Sequence, residues 1–186
     1  MANGTLKVSN IETSSGSGTI TIGQSGETVA LGSGATATGF GSDSTPAFRA
    51  TMSGNQSIAN ETFVKGAFNT ETWDTDSAYD TSTYRFTVPS GEAGKYCFVS
   101  KAAIDNIDDG ESITSAYYKN GSRDDLSWST QWISQSTNGF GYVNNVYLVD
   151  LAVSDYIELY VSHKEGGSQD LSATYSFFGG FKLGGV

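Results

Sequence analysis

Cysteine, proline and positive charge are all scarce in this chain of 186 residues. The single cysteine, Cys97, excludes a disulfide within the chain. Lys and Arg number 10 against 20 Asp and Glu, so the formal net charge is −10 and nothing provides a basic footprint for nucleic acid or an anionic membrane. No apolar run approaches the roughly 20 residues of a membrane span, and the first residues lack the apolar stretch of a secretory signal. We therefore expect a protein made in a reducing cytoplasm, without a nucleic-acid partner or membrane insertion.

Glycine and strand-forming residues are abundant instead, with 23 Gly, 10 Tyr and 10 Phe. Short β-prone segments follow one another with turn signals between them, and no 3.6-residue periodicity occurs. The predicted strands are 47–52, 62–68, 84–89, 94–99, 113–119, 126–133, 142–151, 156–161 and 175–183. Asn120-Gly121 is a strong hairpin signal, and residues 69–83 are predicted to be a polar turn region. The pattern predicts an all-β sandwich or jelly roll.

The first forty residues differ from the rest. Gly-Ser-Gly or Gln-Ser-Gly recurs at 16–18, 24–26 and 32–34, with short β-prone pieces between the repeats. Such pieces cannot bury a core alone, and they become stable when copies from neighbouring chains pack together. We predict a β-rich N-terminal collar at 1–41 that joins protomers or docks onto a larger assembly, followed by a head at 42–186. The candidate anchoring residues are Leu6, Val8, Ile20, Ile22, Val29 and Leu31. A flexible Gly/Ser linker is the alternative.

An aromatic stretch lies close to the C-terminus, from Tyr175 to Leu183. It holds Tyr175, Phe177, Phe178 and Phe181, interrupted by a glycine pair. A strand this apolar would invite aggregation at an exposed sheet edge. We therefore expect it to be a central strand of the sheet.

The order of motifs from 47 to 183 resembles the globular head of complement component 1q, which is related in fold to the tumour necrosis factor family. The matching segments are Ala47-Phe48-Arg49-Ala50, Asn69, residues 79–89, residues 94–98, Lys119-Asn120-Gly121, the strand pair 146–161 around Ser154-Asp155, and residues 175–183. The chain departs from the family in having Arg85 where a glycine is usual and Ser154 where the family has Gly before Asp, and no Gly-X-Y stalk precedes the head.

This resemblance implies a ten-stranded jelly roll that assembles as a compact homotrimer through aromatic strands at the three-fold axis. The candidate interface residues are Tyr175, Phe177, Phe178 and Phe181. Charged substitutions at Phe178 or Phe181 are expected to disturb both trimer formation and folding.

No catalytic constellation is found, so we expect no enzymatic activity and no cofactor. The only histidine, His163, is predicted to lie in a solvated loop, and no Gly-x-Ser-x-Gly motif accompanies it. The acidic segment with Asp105, Asp108, Asp109 and Glu111 is a candidate calcium site, although a solvated acidic turn is the simpler interpretation.

Two tryptophans, Trp128 and Trp132, are four residues apart and share one face of a predicted strand. Exposed, they would form a stacking platform for a sugar ring. Buried, they would belong to the core or to a trimer contact, which is the interpretation that the usual burial of tryptophan favours.

These features lead to three hypotheses. The first is a trimeric structural protein of a bacteriophage particle, made in the host cytoplasm, of fibre or decoration type. Its collar would dock on capsid, portal or tail proteins, and its head would stabilise the particle or bind a host surface glycan. The second is a non-viral soluble module of the complement-head type that binds carbohydrate or protein. The third is a polysaccharide hydrolase, for which the chain offers no fixed pair of acids.

Overall fold

A computed structural model describes residues 44–134 and 139–184, together with the isolated positions 11, 21, 22 and 33. The chain divides into two compact units, Met1–Phe40 and Gly41–Val186, and the described strands all belong to the second. The predicted collar residues Leu6, Val8, Ile20, Val29 and Leu31 lie outside the described residues, whereas Ile22 is described and exposed. The collar stays a prediction.

Two antiparallel sheets of seven strands form the second unit. Sheet A consists of β1 (Ala47–Thr51), β2 (Gln56–Ile58), β4 (Thr70–Asp74), β7 (Gly94–Ile104), β11 (Gly141–Leu151), β13 (Gln169–Leu171) and β14 (Phe177–Lys182). Sheet B consists of β3 (Val64–Lys65), β5 (Tyr79–Asp80), β6 (Arg85–Thr87), β8 (Ser112–Lys119), β9 (Ser122–Arg123), β10 (Ser129–Trp132) and β12 (Tyr156–His163). The arrangement is a jelly-roll-like sandwich, as predicted. Within the described residues no helix is long and apolar enough to cross a membrane.

The aromatic strand β14 occupies the middle of sheet A, between β7 and β1. Phe181 is opposite Cys97 of β7 on one side and Ala47 of β1 on the other. Both flanking strands satisfy the backbone groups of β14, so its aromatic run presents no open edge. The predicted central position of this strand is confirmed.

Aromatic rings from both sheets fill the space between them. Phe48 stacks on Tyr79 with ring centroids 4.7 Å apart and on Phe86 at 5.2 Å. Phe178 meets the Phe48 ring edge-on at 4.9 Å and is fully buried. The alternation of β14 and β7 explains this core, since every second side chain points between the sheets. Full burial of a phenylalanine of this kind stabilises the fold by about 3–5 kcal/mol relative to alanine.

The strand count differs from the expected ten, because several short strands flank the long ones. The region 69–83, predicted as a turn, contains β4 and β5. β4 escaped prediction because residues 70–73 are all exposed, so it has no apolar alternation and exists by pairing with β1 at an edge of sheet A. The predicted strand 126–133 is shorter than expected, since Asp125–Ser127 form a 3₁₀ turn capped by the side chain of Asp124. The hairpin at Asn120-Gly121 is confirmed, and both residues adopt positive φ.

Candidate functional site

The outer face of sheet A, on the side away from the core, is unusually apolar. Its residues are the alternate side chains of each strand, so the register places them in rows across the sheet. One row consists of Leu148, Cys97, Phe181 and Ala47. The next begins with Val146 beside Val99. An open sheet face normally carries polar side chains, and here one apolar row crosses four strands, whereas the row of Val146 and Val99 continues into Gly179 and Arg49.

The most exposed apolar side chains of this face lie on β11. Val146 and Leu148 are each 65% exposed. Phe181 and Tyr175 are also exposed, and Phe140 contacts Tyr175 edge-on with ring centroids 4.6 Å apart. Several exposed apolar side chains on one sheet face mark an interaction site.

Two cations lie flat against aromatic rings on the same face. The Lys101 ammonium is 4.3 Å from the centroid of the Tyr142 ring, and the Arg49 guanidinium is 5.3 Å from that of Phe177. Both long side chains therefore spread their methylene groups over the sheet instead of extending into water. The charges on this face are compatible with close approach of another surface.

The four predicted trimer-interface residues separate into two groups. Tyr175, Phe177 and Phe181 lie on the outer face of sheet A. Phe178 points in the opposite direction and is 0% exposed, within reach of Phe48, Tyr79 and Tyr117. The structure therefore assigns Phe178 to the core of one chain and not to a contact between copies. Successive residues of a strand face opposite sides, so Phe177 and Phe178 cannot share one role.

Val146 and Leu148 were not among the predicted interface residues. The sequence does contain a signal for them, because apolar residues occupy both alternations of the segment Val146-Tyr147-Leu148-Val149. A strand with one solvated face would be apolar on only one of them. Such a segment indicates a second covered face.

The outer face of sheet B has a different character, with aromatic rings and charged groups side by side. Tyr118 and Tyr160 stack with centroids 3.8 Å apart. Glu158, next to them, is almost fully buried and its Oε1 lies 3.0 Å from Lys65 Nζ and 3.6 Å from an Arg85 terminal nitrogen. Burial, together with the negative charge of Glu158, raises the pKa of Tyr160.

Trp128 lies immediately before β10 on this face and is 46% exposed. Its indole N–H donates to the Thr130 hydroxyl at 2.7 Å. Phe63 meets the indole edge-on at 5.2 Å, and the Arg123 guanidinium lies over it at 4.6 Å. Trp128 was expected to be buried in the core or in a trimer contact. Its exposure excludes a place in the core of the single chain, and the trimer contact stays a prediction.

Trp132, at the other end of β10, is 61% exposed. It lines an open cleft of about 280 Å³ with Phe140 and Tyr142. The two tryptophans therefore belong to separate surroundings and do not form one platform.

The acidic segment does not assemble a calcium site. Within residues 44–134 and 139–184, no three Asp, Glu, His or Cys side chains converge as metal ligands would. Asp108, Asp109 and Glu111 do not join Asp105 in such a group. Burial, reinforced by the nearby Asp170, raises the pKa of Asp105, and its Oδ1 has no hydrogen-bond partner among the described groups.

His163 was expected to lie in a solvated loop, but it is the last residue of strand β12. It is 1% exposed, and its Nε2 lies 2.9 Å from the carbonyl oxygen of Ile58. β12 runs two residues beyond the predicted end because Ile113 of β8 continues to pair with it. A buried ring held by one backbone carbonyl is a structural feature and shows no catalytic partner in the described part of the chain.

Comparison with known proteins agrees with this geometry. The model of the C1q domain family matches residues 47–183. No curated protein matches the sequence. Among solved structures, murine APRIL at pH 5.0 has a TM-score of 0.52 and 14% identity over 74% of this chain and 98% of the other. Murine APRIL at pH 8.0 gives 0.53 and 13% over the same shares.

The globular domain of the zebrafish complement 1qA protein is also similar, with a TM-score of 0.48 and 18% identity over 74% of this chain and 97% of that domain. At these identities the APRIL structures support the sandwich fold alone.

Proposed function

Because the chain belongs to the C1q domain family, we propose that its head, residues 42–186, is an assembly and binding module that forms a homotrimer through the outer face of sheet A. The observation that carries this proposal is the pair Val146 and Leu148, both largely exposed on the same sheet face as Phe181. Covering these side chains removes apolar surface from water at about 25 cal/mol per Å². The role is one of assembly and recognition, without catalysis.

The strand arrangement supports a ring of copies. β11 pairs only with β7, and β10 only with β8, among the described strands, so both have one open edge. The two edges are joined by a hydrogen bond from the Ser129 hydroxyl to the Asn144 carbonyl at 3.1 Å. A contact in which the edge of one copy meets the apolar face of the next is heterologous, and such contacts form a closed ring when the rotation between copies closes. The family resemblance implies that the ring has three members.

We further propose that this trimer belongs to a bacteriophage particle, as a fibre or decoration protein made in the host cytoplasm. Its support is the sequence of the first forty residues, where glycine-serine repeats alternate with short β-prone pieces. We propose that this segment docks on capsid, portal or tail proteins and that the head stabilises the particle or binds a host surface glycan.

The alternative is a non-viral soluble binding module. The outer face of sheet B favours recognition in either setting, because aromatic and charged groups stay exposed there after the outer face of sheet A is covered.

Native mass measurement of the full chain tests the assembly. We expect about three times the chain mass of 19.6 kDa at micromolar concentration, and a monomer would overturn the trimer. Purified phage particles from the producing culture are expected to contain the chain in a multiple of three copies. Its presence only in the particle-free fraction would overturn the particle assignment and favour the soluble module.

The proposed absence of catalysis has its own assay. Polysaccharides incubated with the protein are expected to keep their chain length in size-exclusion chromatography. Shortening of the chains would restore the hydrolase hypothesis.

A further inference from the structure

The outer face of sheet B carries a cluster of aromatic rings and charged groups, most of which stay partly exposed on the folded chain. We call it the aromatic–cation cluster. Its members are Phe63, Lys65, Arg85, Tyr118, Arg123, Trp128, Tyr156, Glu158 and Tyr160. They come from five strands and from the residues immediately before β3 and β10. The register connects them, since Tyr118 is opposite both Arg123 and Glu158, and Tyr160 is opposite Lys65.

Local charge distinguishes this cluster from the rest of the chain. It contains three cations, Lys65, Arg85 and Arg123. Glu158 and Asp125 pair with them, and Asp80 lies opposite Arg85 in the strand register. The cluster is therefore close to neutral in a chain whose formal net charge is −10. A neutral patch on an acidic protein repels an anionic group less than the rest of the surface does.

Arg123 is arranged to receive that group. Its Nε donates to Asp125 Oδ1 at 2.8 Å, while its guanidinium lies over the Trp128 ring at 4.6 Å and over Phe63 at 5.7 Å. No acceptor among the described residues bonds its two terminal nitrogens. The planar fork of a guanidinium matches a carboxylate with two parallel hydrogen bonds.

The neighbouring indole is held in place before any ligand binds. Trp128 donates to Thr130, whose hydroxyl oxygen lies 2.9 Å from that of Thr114 on β8. A half-exposed tryptophan fixed by its own N–H loses little freedom when a ligand covers it. Its remaining free surface is hydrocarbon-like, as are the rings of Phe63 and Tyr160.

We infer that the aromatic–cation cluster binds an acidic polysaccharide, with a sugar carboxylate on the terminal nitrogens of Arg123 and sugar rings against Trp128 and the adjacent aromatic side chains. Sugar rings present apolar C–H faces to aromatic rings and hydroxyl groups to charged side chains, so both components of the cluster are used. Lys65 and Arg85 have nitrogens 3.0 and 3.6 Å from the Glu158 Oε1 atom that they neutralise. We expect them to attract the next carboxylate along the polysaccharide.

The inference rests on the proposed role of the head as a binding module, but it does not need the trimer. The full-length protein is titrated calorimetrically with polygalacturonate, alginate, hyaluronate and polysialate. Each is compared with the same polymer after its carboxyl groups have been reduced to alcohols. We expect at least one acidic polymer to bind, about tenfold or more tighter than its reduced form, which is the effect of one lost charge-assisted contact of about 1.4 kcal/mol.

Two substitutions locate the site. Trp128→Ala is expected to weaken binding about tenfold, and Arg123→Lys to remove most of the preference for the acidic over the reduced polymer, because lysine keeps the charge but not the fork. Trp132→Ala is the matched control, since this tryptophan is exposed at the far end of β10, outside the cluster.

Binding of none of the four polymers at millimolar concentration would overturn the inference. Equal weakening by Trp132→Ala would do so as well. Dextran sulfate supplies negative charge without carboxylates. If the protein bound it more tightly than the four acidic polymers, and Trp128→Ala did not weaken that binding, the cluster would only attract charge and the inference would be overturned. Native mass of the same samples reports the trimer separately, so failure of the glycan site and failure of the assembly are distinguishable.

Discussion

Gly180 of β14 lies directly opposite Phe98 of β7, and the Phe98 ring occupies the place of the side chain that the glycine lacks. A Cβ atom at Gly180 would lie 2.5 Å from Phe98 Cδ1 and 3.2 Å from the Cys97 carbonyl oxygen. The glycine thus allows a central aromatic strand to lie flat against a ring of the core. Glycine in a strand interior commonly marks such close approach.

Gly180→Ala is therefore expected to lower the free energy of unfolding by about 1–3 kcal/mol, because the Phe98 ring has to leave its packed position. Urea denaturation measures the change. Gly54→Ala is the control, since nothing lies within 4 Å of a Cβ at Gly54. An equal effect of the two substitutions would contradict the packing explanation.

Leu148→Asp is expected to convert the trimer to monomer while the single chain stays folded. The side chain is exposed on the outer face of sheet A, so a charge costs nothing in the monomer but is buried without a partner in the assembly. Native mass and circular dichroism together check both parts. Leu126→Asp places the same charge on a leucine that is 93% exposed on the 3₁₀ turn, and we expect it to remain trimeric. A trimeric Leu148→Asp protein would refute the assigned interface.

Lys65 and Arg85 are expected to be coupled, because both neutralise the one buried carboxylate of Glu158. Either Lys65→Met or Arg85→Met leaves one cation in place. The double variant leaves none, so its loss of stability should exceed the sum of the single losses by about 1–3 kcal/mol. A double-mutant cycle in urea measures this coupling. Adding Glu158→Gln should abolish the excess, and simple additivity would show that the carboxylate does not depend on the pair.

Asp155 contributes stability that depends on pH. Hydrogen bonds from the Asn120 side chain, and then from Lys119 and the Ala152 N–H, lower its pKa from the ordinary 3.8 to about 2. The folded protein therefore holds this carboxylate ionised where the unfolded chain has begun to protonate. This contribution is complete above the unfolded pKa and is lost as the pH falls through the folded one, between about pH 4 and pH 2.

Asp155→Asn should accordingly be less stable than the parent at neutral pH, and the difference should shrink across that pH range. Urea midpoints at several pH values measure it. Asp109→Asn removes one charge from an exposed position and serves as the control. An unchanged difference from pH 5 to pH 2 would contradict the role of Asp155.

Much of the sheet structure followed from local pattern. Strand β11 was predicted nearly in full and β7 over its first six residues, because glycine and turn residues precede their apolar segments, and Asn120-Gly121 marked its hairpin because both residues adopt positive φ. Strand β4 was missed for the opposite reason. It is an exposed edge that exists through pairing with a strand about twenty residues earlier, and nothing in its own residues signals that pairing.

The sites depended more strongly on distant contacts. Phe177 and Phe178 are equivalent in the sequence as aromatic strand residues, and only the orientation of β14 within the sandwich places one outside and the other in the core. The aromatic–cation cluster unites residues from 63 to 160, which no local pattern connects. His163 is buried although a solvated loop was predicted, and Trp128 is half-exposed in the single chain, since burial is decided by which strands cover a position. Composition and alternation thus determine that the chain forms sheets, because they act through neighbouring residues. The face on which each side chain lies, and what it meets there, is decided by strand order, because that is a property of the whole fold.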